Sequence, residues 1–281
     1  MKILEPQVEL IRQGDDEALH IAKCARVCYA SSKLTDNDKM CRALWRHNHR
    51  SMFRHAGVYF KIPTNGVFLT SDAPVLSSEF CNCIVTTSYI YISTNRQFAK
   101  EHLQEFSQYE IPYDVAVNDE VFYSNHMIYY TFVVNTGIDI TRELNRKSPN
   151  AIAERSTRYV DFIKKIGVVF KQCHWMPGLN LYRKSLIKLM CKVDEWFYKI
   201  SRSKYGLNLK PEDARWCLFL DTMSKAVYTY TVRDWEYIIN LRLWDYTGGA
   251  HPDVKIVAQQ IKDALNGEGY DLVNYKTRQV E

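Results

Sequence analysis

The sequence predicts an α/β (α+β) protein, on three observations. Runs rich in β-branched and aromatic residues, 58–62, 84–92 and 127–134, read as strands. Segments with apolar residues at helical spacing, among them 16–29, 40–45 and much of the chain beyond Asp161, read as helices. The 281 residues, 46% of them hydrophobic, suffice for a substantial core without disulfide staples.

In order along the chain, Ala18, Leu19, Ile21, Ala22, Ala25 and Val27 make residues 16–29 an amphipathic helix, and 40–45 a second one. Residues 49–55 read as a loop leading into the strand 58–62, which Pro63 and Gly66 stop. Between Thr64 and Asn125 the β-branched run 84–92 precedes a helical pattern over 96–109. The strand 127–134 follows. Leu186, Leu189, Met190, Val193, Trp196, Phe197 and Ile200 form an apolar helical stripe that Gly206 terminates. Pro211 suits the start of a short helix carrying Ala214 and Arg215, and 226–244 reads as one long helix. Gly248 and Gly249 break it, and Pro252 opens a last helix to about Leu265.

The 37 Lys+Arg against 32 Asp+Glu leave a net charge of +5, compatible with a small anionic ligand and without the dense basic tract of a nucleic-acid-binding surface. The eight cysteines lack the spacing of a secreted disulfide framework, so reduced thiols are expected. The first residues contain no apolar signal core and no run is long enough to span a membrane; the expected location is the cytoplasm.

The chemistry concentrates in residues 146–159. Arg146-Lys147-Ser148 stands seven residues before Ser156-Thr157-Arg158-Tyr159. Hydroxyls, backbone N–H groups and a guanidinium within one short segment suit a nucleotide monophosphate, a dianion that arginine grips bidentately while staying charged. Arg215 would complete that clamp from elsewhere in the fold. Arg233 and Arg242, nine residues apart, fall on opposite sides of an ideal helix at ~100° per residue, so one pocket cannot easily take both.

This segment resembles the Arg-His-Arg, seven residues, Ser signature of the flavin-dependent thymidylate synthase (ThyX) family, with Lys147 and Ser148 in place of the His and the second Arg. Further blocks agree in order: residues 25–29 resemble the end of the family's first helix, and His49-x-Ser51 its flavin-contact segment, with Arg54 where a Glu is usual. Residues 212–218, 232–242 and 250–252 are similar to its arginine segments and closing helix, with Phe219 for a Pro and Thr231 for an Asn. The resemblance implies a mixed, largely antiparallel sheet flanked by helices, one domain over 1–281, with a long insertion at about 64–125. It implies FAD held by His49, Ser51, Arg146, Lys147, Ser148, Arg233 and Tyr237. It implies a deoxypyrimidine monophosphate held by Glu143, Glu154, Ser156, Thr157, Arg158, Arg215 and Arg242. Arg242, Arg146 and Glu154 would serve the reaction, with NADPH and methylenetetrahydrofolate as cosubstrates, in a homotetramer with shared active sites.

The activity so implied is reductive C5 methylation of dUMP. The altered triplet places methylation or hydroxymethylation of dCMP or dUMP close behind, because uracil presents a donor at N3 and an acceptor at O4 where cytosine presents an acceptor at N3 and a donor at its N4 amine. A nucleotide-binding protein of the same fold without catalysis is the non-enzymatic alternative.

Plainer readings stand beside these. An isolated arginine is by default a surface ion partner, and His49 and Ser51 could merely cap a helix. Cys24, Cys28, Cys41, His47 and His49 lack the spacing of a zinc site, and no metal is expected. Cys173-His174 and Cys81-x-Cys83 read as core cysteines rather than a nucleophile or a redox pair.

Overall fold

The computed structural model describes residues 2–29, 36–64, 77–165 and 167–278. The strands are β1 (Lys2–Leu4), β2 (Gln7–Ile11), β3 (Gly57–Pro63), β4 (Cys81–Val85), β5 (Tyr89–Asn95), β6 (Glu110–Ile111), β7 (Tyr129–Gly137), β8 (Ile152–Glu154), β9 (Val169–Lys171) and β10 (Met223–Thr231). The helices are α1 (Glu17–Tyr29), α2 (Asn37–Arg46), α3 (Arg96–His102), α4 (Tyr113–Val117), α5 (Glu120–Ser124), α6 (Ile138–Leu144), α7 (Phe162–Lys165), α8 (Leu181–Arg202), α9 (Pro211–Ala214), α10 (Val232–Arg242), α11 (Pro252–Gly267) and α12 (Tyr275–Arg278). Residues 50–55, expected as loop, form a 3₁₀ helix before β3, and 104–109 form another after α3.

The central sheet has the order β2-β7-β10-β8, antiparallel throughout. Its spine is the nine-residue pairing of β7 with β10, from Tyr129 opposite Thr231 to Gly137 opposite Met223. That pairing corrects the single helix expected over 226–244. Met-Ser-Lys-Ala-Val-Tyr-Thr-Tyr-Thr pairs on both sides, with β7 and with β8, which satisfies backbone groups that a helix would satisfy locally. The helix begins only after Thr231, whose hydroxyl accepts the Asp234 N–H as an N-cap.

A second antiparallel sheet, β4-β5-β3-β6, divides the run 84–92 into two strands. The segment expected as an insertion supplies three of its four strands, β4, β5 and β6, together with α3, α4 and α5; residues 65–76 of it lie outside the described residues. The two sheets share a core. The Tyr129 N–H donates to the Tyr59 hydroxyl at 2.8 Å, and a Cβ on Gly57 would lie 2.7 Å from that of Tyr129, so this approach admits only glycine. The parallel pair β1-β9 is separate, and β9 was not anticipated in the helical-looking region after Asp161.

Helices α10 and α11 cover one face of the central sheet, where Trp235 stands edge-on to Phe132 and donates its indole N–H to the Tyr130 carbonyl at 3.0 Å. On the other face, α1 packs against Val133, Ala153 and Val227. There a buried chain runs from His20 Nε2 to Thr131 Oγ1 (3.0 Å), to Thr229 Oγ1 (2.8 Å), to His55 Nδ1 (2.8 Å). It ties α1 and the first 3₁₀ helix to the sheet. Burial lowers the two imidazoles from 6.5 to about 4 at His20 and about 3 at His55, so both are neutral.

The apolar stripe of α8 has the predicted spacing but faces outward in the single chain. Leu189 is 57% exposed, Met190 58% and Trp196 55%. Among the described residues no helix is long and apolar enough to cross a membrane.

Candidate active site

Residues 146–159 leave the end of α6, pass the edge of the central sheet and enter it as β8. Opposite α6 lies α10. Its Arg242 donates from Nη2 to the Glu143 carbonyl at 2.9 Å and holds Nη1 4.0 Å from the Glu143 carboxylate. Between the two helices opens a cleft of about 290 Å³, lined by Glu143, Arg146, Lys147, Ser148, Tyr237 and Arg242, with Leu144, Ile238 and Leu241 as its apolar wall. Six of the predicted site residues thus share one space. Arg146 is exposed and makes no side-chain hydrogen bond or ion pair among the described residues, and Tyr237 leaves 40% of its surface open. An unpaired guanidinium beside an open aromatic face suits a planar ligand carrying anionic or carbonyl groups.

Lys147 is not free in that space. Its ammonium lies 3.0 Å from Asp234 Oδ1 and donates to the Ser148 carbonyl at 3.0 Å. Beyond Pro149, the Asn150 carbonyl accepts from Arg54 Nη1 at 3.1 Å, and Arg54 Nε donates to Gln97 Oε1 at 2.9 Å. The turn is therefore tethered from both flanks. Asp234 and Arg54 were not among the predicted site residues; their only sequence signals were position, Asp234 next to Arg233 and Arg54 next to His55.

A second group forms past β8. Arg215 donates to Thr157 Oγ1 at 3.0 Å, Arg158 stands 3.6 Å from Glu212, and Ser156 Oγ accepts the N–H groups of Arg158 and Tyr159 at 3.2 and 3.4 Å. Both guanidinium groups are exposed. This is a ready anion clamp, with Glu212 as the internal counter-charge that an incoming dianion would have to displace.

Glu154 sits on the strand between the two groups, accepting from Thr141 Oγ1 at 2.9 Å and Asn145 Nδ2 at 3.5 Å; the Tyr228 hydroxyl in turn donates to Asn145 Oδ1 at 2.9 Å. Its carboxylate is oriented by α6. The adjoining Arg155 is half-buried with its Nε unpartnered, and burial lowers its pKa.

Three predicted residues lie elsewhere in the single chain. Arg233 is exposed and absent from the cleft lining, whereas Arg242 belongs to it, as expected of residues on opposite sides of one helix. His49 occupies the N-cap position of the 3₁₀ helix without a side-chain cap bond, and Ser51 is exposed on the same turn. That helix reaches the signature through Arg54 instead.

Outside this region His174, His251 and Asp253 converge at metal-ligand spacing, a group the sequence reading did not single out. Asp253 is already saturated: Oδ1 accepts from the His174 N–H at 2.7 Å and meets its Nδ1 at 2.8 Å, and Oδ2 accepts from the buried Lys171 at 2.5 Å. Burial opposes ionisation of Asp253, but the hydrogen bonds from Lys171 and His174 outweigh it and hold the carboxyl below its ordinary value. The neighbouring Cys173 is buried, and desolvation pushes its thiol up to about 12, so it is no thiolate nucleophile at neutral pH.

A family model described as "Thymidylate synthase complementing protein" matches residues 87–268. Among solved structures the chain is similar to the UMP/dUMP methylase PolB from Streptomyces cacaoi bound with 5-Br dUMP, at 18% identity and a TM-score of 0.44, covering 94% of this chain and 92% of that one. The same methylase bound with 5-Br UMP gives 16% identity and a TM-score of 0.45, over 94% and 91%. No curated protein sequence matches.

Proposed function

The chain belongs to the thymidylate synthase complementing protein family of flavin-dependent, methyltransferase-like enzymes, and on that premise we propose that it methylates C5 of dUMP reductively, with FAD bound, methylenetetrahydrofolate as carbon donor and NADPH as electron source. The observation that carries this reading is the pair of groups flanking Glu154: the cleft with Arg146, Tyr237 and Arg242, and the clamp of Ser156, Thr157, Arg158 and Arg215. The clamp takes the nucleotide phosphate. Arg242, backed by the Glu143 carbonyl, takes a carbonyl of the pyrimidine, where a fixed cation stabilises charge that develops on the ring. Glu154, held by Thr141 and Asn145, accepts from the sugar or the base.

The cleft fits part of the cofactor. Tyr237 offers a stacking face and Arg146 an unpaired cation, but about 290 Å³ takes one ring system rather than a whole dinucleotide. FAD, when bound, supplies the relay of reducing equivalents and carbon. The remaining surface comes from other subunits in a homotetramer with shared sites. The outward stripe of α8, with Leu189, Met190 and Trp196 more than half exposed, supports that assembly, since a contiguous apolar face of this kind marks an interface. Arg233, His49 and Ser51 then serve a neighbouring site's flavin.

A second reading, methylation or hydroxymethylation of dCMP or dUMP to a modified deoxypyrimidine, is favoured by one observation: Lys147 is committed to Asp234 and Ser148 offers no cation, so donors around the ring differ from an Arg-His-Arg site. The test is an absorbance spectrum of the purified protein, then mass spectrometry of dUMP and dCMP incubated separately with FAD, methylenetetrahydrofolate and NADPH. Thymidylate supports the first reading and a different C5-modified nucleotide the second. Nucleotide binding without flavin or product would replace both with a non-catalytic binding protein. Lys147→His with Ser148→Arg should raise thymidylate formation if the triplet redirects the chemistry.

A further inference from the structure

An ammonium has three donors and no acceptor. Two of those on Lys147 are assigned, to Asp234 Oδ1 at 3.0 Å and to the Ser148 carbonyl at 3.0 Å, and the side chain is only 15% exposed. Asp234 is itself fixed, since its Oδ2 accepts from the Thr231 hydroxyl at 3.0 Å and its N–H donates back at 3.2 Å. The carboxylate therefore cannot follow the lysine outward without giving up its bond from the Thr231 hydroxyl. One N–H of Lys147 has no partner among the described residues, Lys147 lines the cleft, and its charge is already balanced.

We propose that Asp234 is a positioning and specificity-determining residue that holds Lys147 as a charge-compensated hydrogen-bond donor, so that this wall of the cleft selects an uncharged carbonyl edge and rejects a second anionic group. The proposal rests on the reading of the cleft as a ring-binding site. A free lysine beside Arg146 and Arg242 would set three cations against Glu143 alone in the cleft, an excess that a pyrophosphate would fill. Neutralised by Asp234, the same lysine offers directional donation to the carbonyl oxygen of an isoalloxazine or a pyrimidinedione. The second tether, Arg54 on the Asn150 carbonyl, keeps the turn from carrying Lys147 away from Asp234.

The experiment uses Asp234→Asn, Lys147→Met and the double variant of the full chain, with inorganic pyrophosphate and riboflavin as probes in separate titrations. Asparagine removes the charge and one of the two acceptor oxygens, and the oxygen it keeps serves the Thr231 hydroxyl. Pyrophosphate should bind about tenfold tighter to Asp234→Asn than to wild type, several-fold more weakly to Lys147→Met, whose Asp234 is left uncompensated beside the cleft, and at the wild-type level to the double variant. Riboflavin should bind several-fold more weakly to both single variants. A double variant that binds pyrophosphate tenfold more weakly than wild type would overturn the proposal, as would no gain in Asp234→Asn or a gain that persists without the lysine. Limited acetylation followed by mass spectrometry reads the pair without any ligand: Lys147 should react several-fold faster in Asp234→Asn, and equal rates would contradict the tie. If wild type binds neither FAD nor dUMP, the functional reading fails, while the pyrophosphate and acetylation results still decide the role of Asp234.

Discussion

Acidification should loosen this fold through two buried histidines that are not among the predicted site residues. His20 and His55 titrate at about 4 and about 3 in the folded chain because burial disfavours their charged forms, against ~6.5 in an unfolded one. Above the unfolded value both states hold neutral imidazoles and the contribution is complete. Below it the unfolded chain takes up protons that the folded chain refuses, so stability falls towards the folded values. Each imidazole costs ~1.4 kcal/mol per pH unit in that window, hence ~4 kcal/mol for the pair by about pH 5. Buried Asp194 acts with the opposite sign. Desolvation raises its carboxyl to about 6, so between there and its unfolded value the fold binds the extra proton and regains ~1.4 kcal/mol by about pH 5. The net loss, ~3 kcal/mol, is a large share of the ~5–15 kcal/mol that holds a typical domain. Urea midpoints measured from about pH 7.5 to about pH 5 should show it. His20→Gln and His55→Gln should each be less stable at the upper end but lose ~2 kcal/mol of the pH dependence. Curves for both variants parallel to wild type would refute the reasoning.

Other outcomes are as definite. Arg158→Ala and Arg215→Ala should weaken dUMP binding about tenfold or more with little effect on FAD, whereas Arg233→Ala should do the reverse, as read by separate titrations; equal effects on both ligands would sink the role assignments. Leu189→Asp or Trp196→Asp on the outward face of α8 should shift the protein to a smaller species by light scattering while leaving its circular dichroism unchanged. Gly57→Ala should lower the melting temperature, at a cost of ~1–3 kcal/mol, because the new methyl meets the Tyr129 side chain; an unchanged melting temperature would mean that the strands yield there.

What local pattern could decide, the sequence determined alone. Helices α1 and α11 carry their apolar periodicity and boundary residues within themselves, and β7 its β-branched and aromatic run. Six of the residues read from the signature and the arginine segments do share a cleft: Glu143 at the end of α6, Arg146, Lys147 and Ser148 on the turn that follows it, and Tyr237 and Arg242 on α10. The strand β10 was not legible: Ala226 to Thr231 pairs with β7, 92 to 102 residues away, and in part with β8, and nothing local distinguishes that from the first turns of a helix. The outward face of α8 was equally hidden, since spacing reports that a stripe exists and not what covers it. In the site, sequence supplied the cations but only the tertiary structure assigned their partners. Lys147 meets Asp234, and the Asn150 carbonyl meets Arg54, across separations of 87 and 96 residues. Whether a lysine is a free cation or half of an ion pair depends on what the folded chain brings within about 3 Å of it, and no periodicity encodes that.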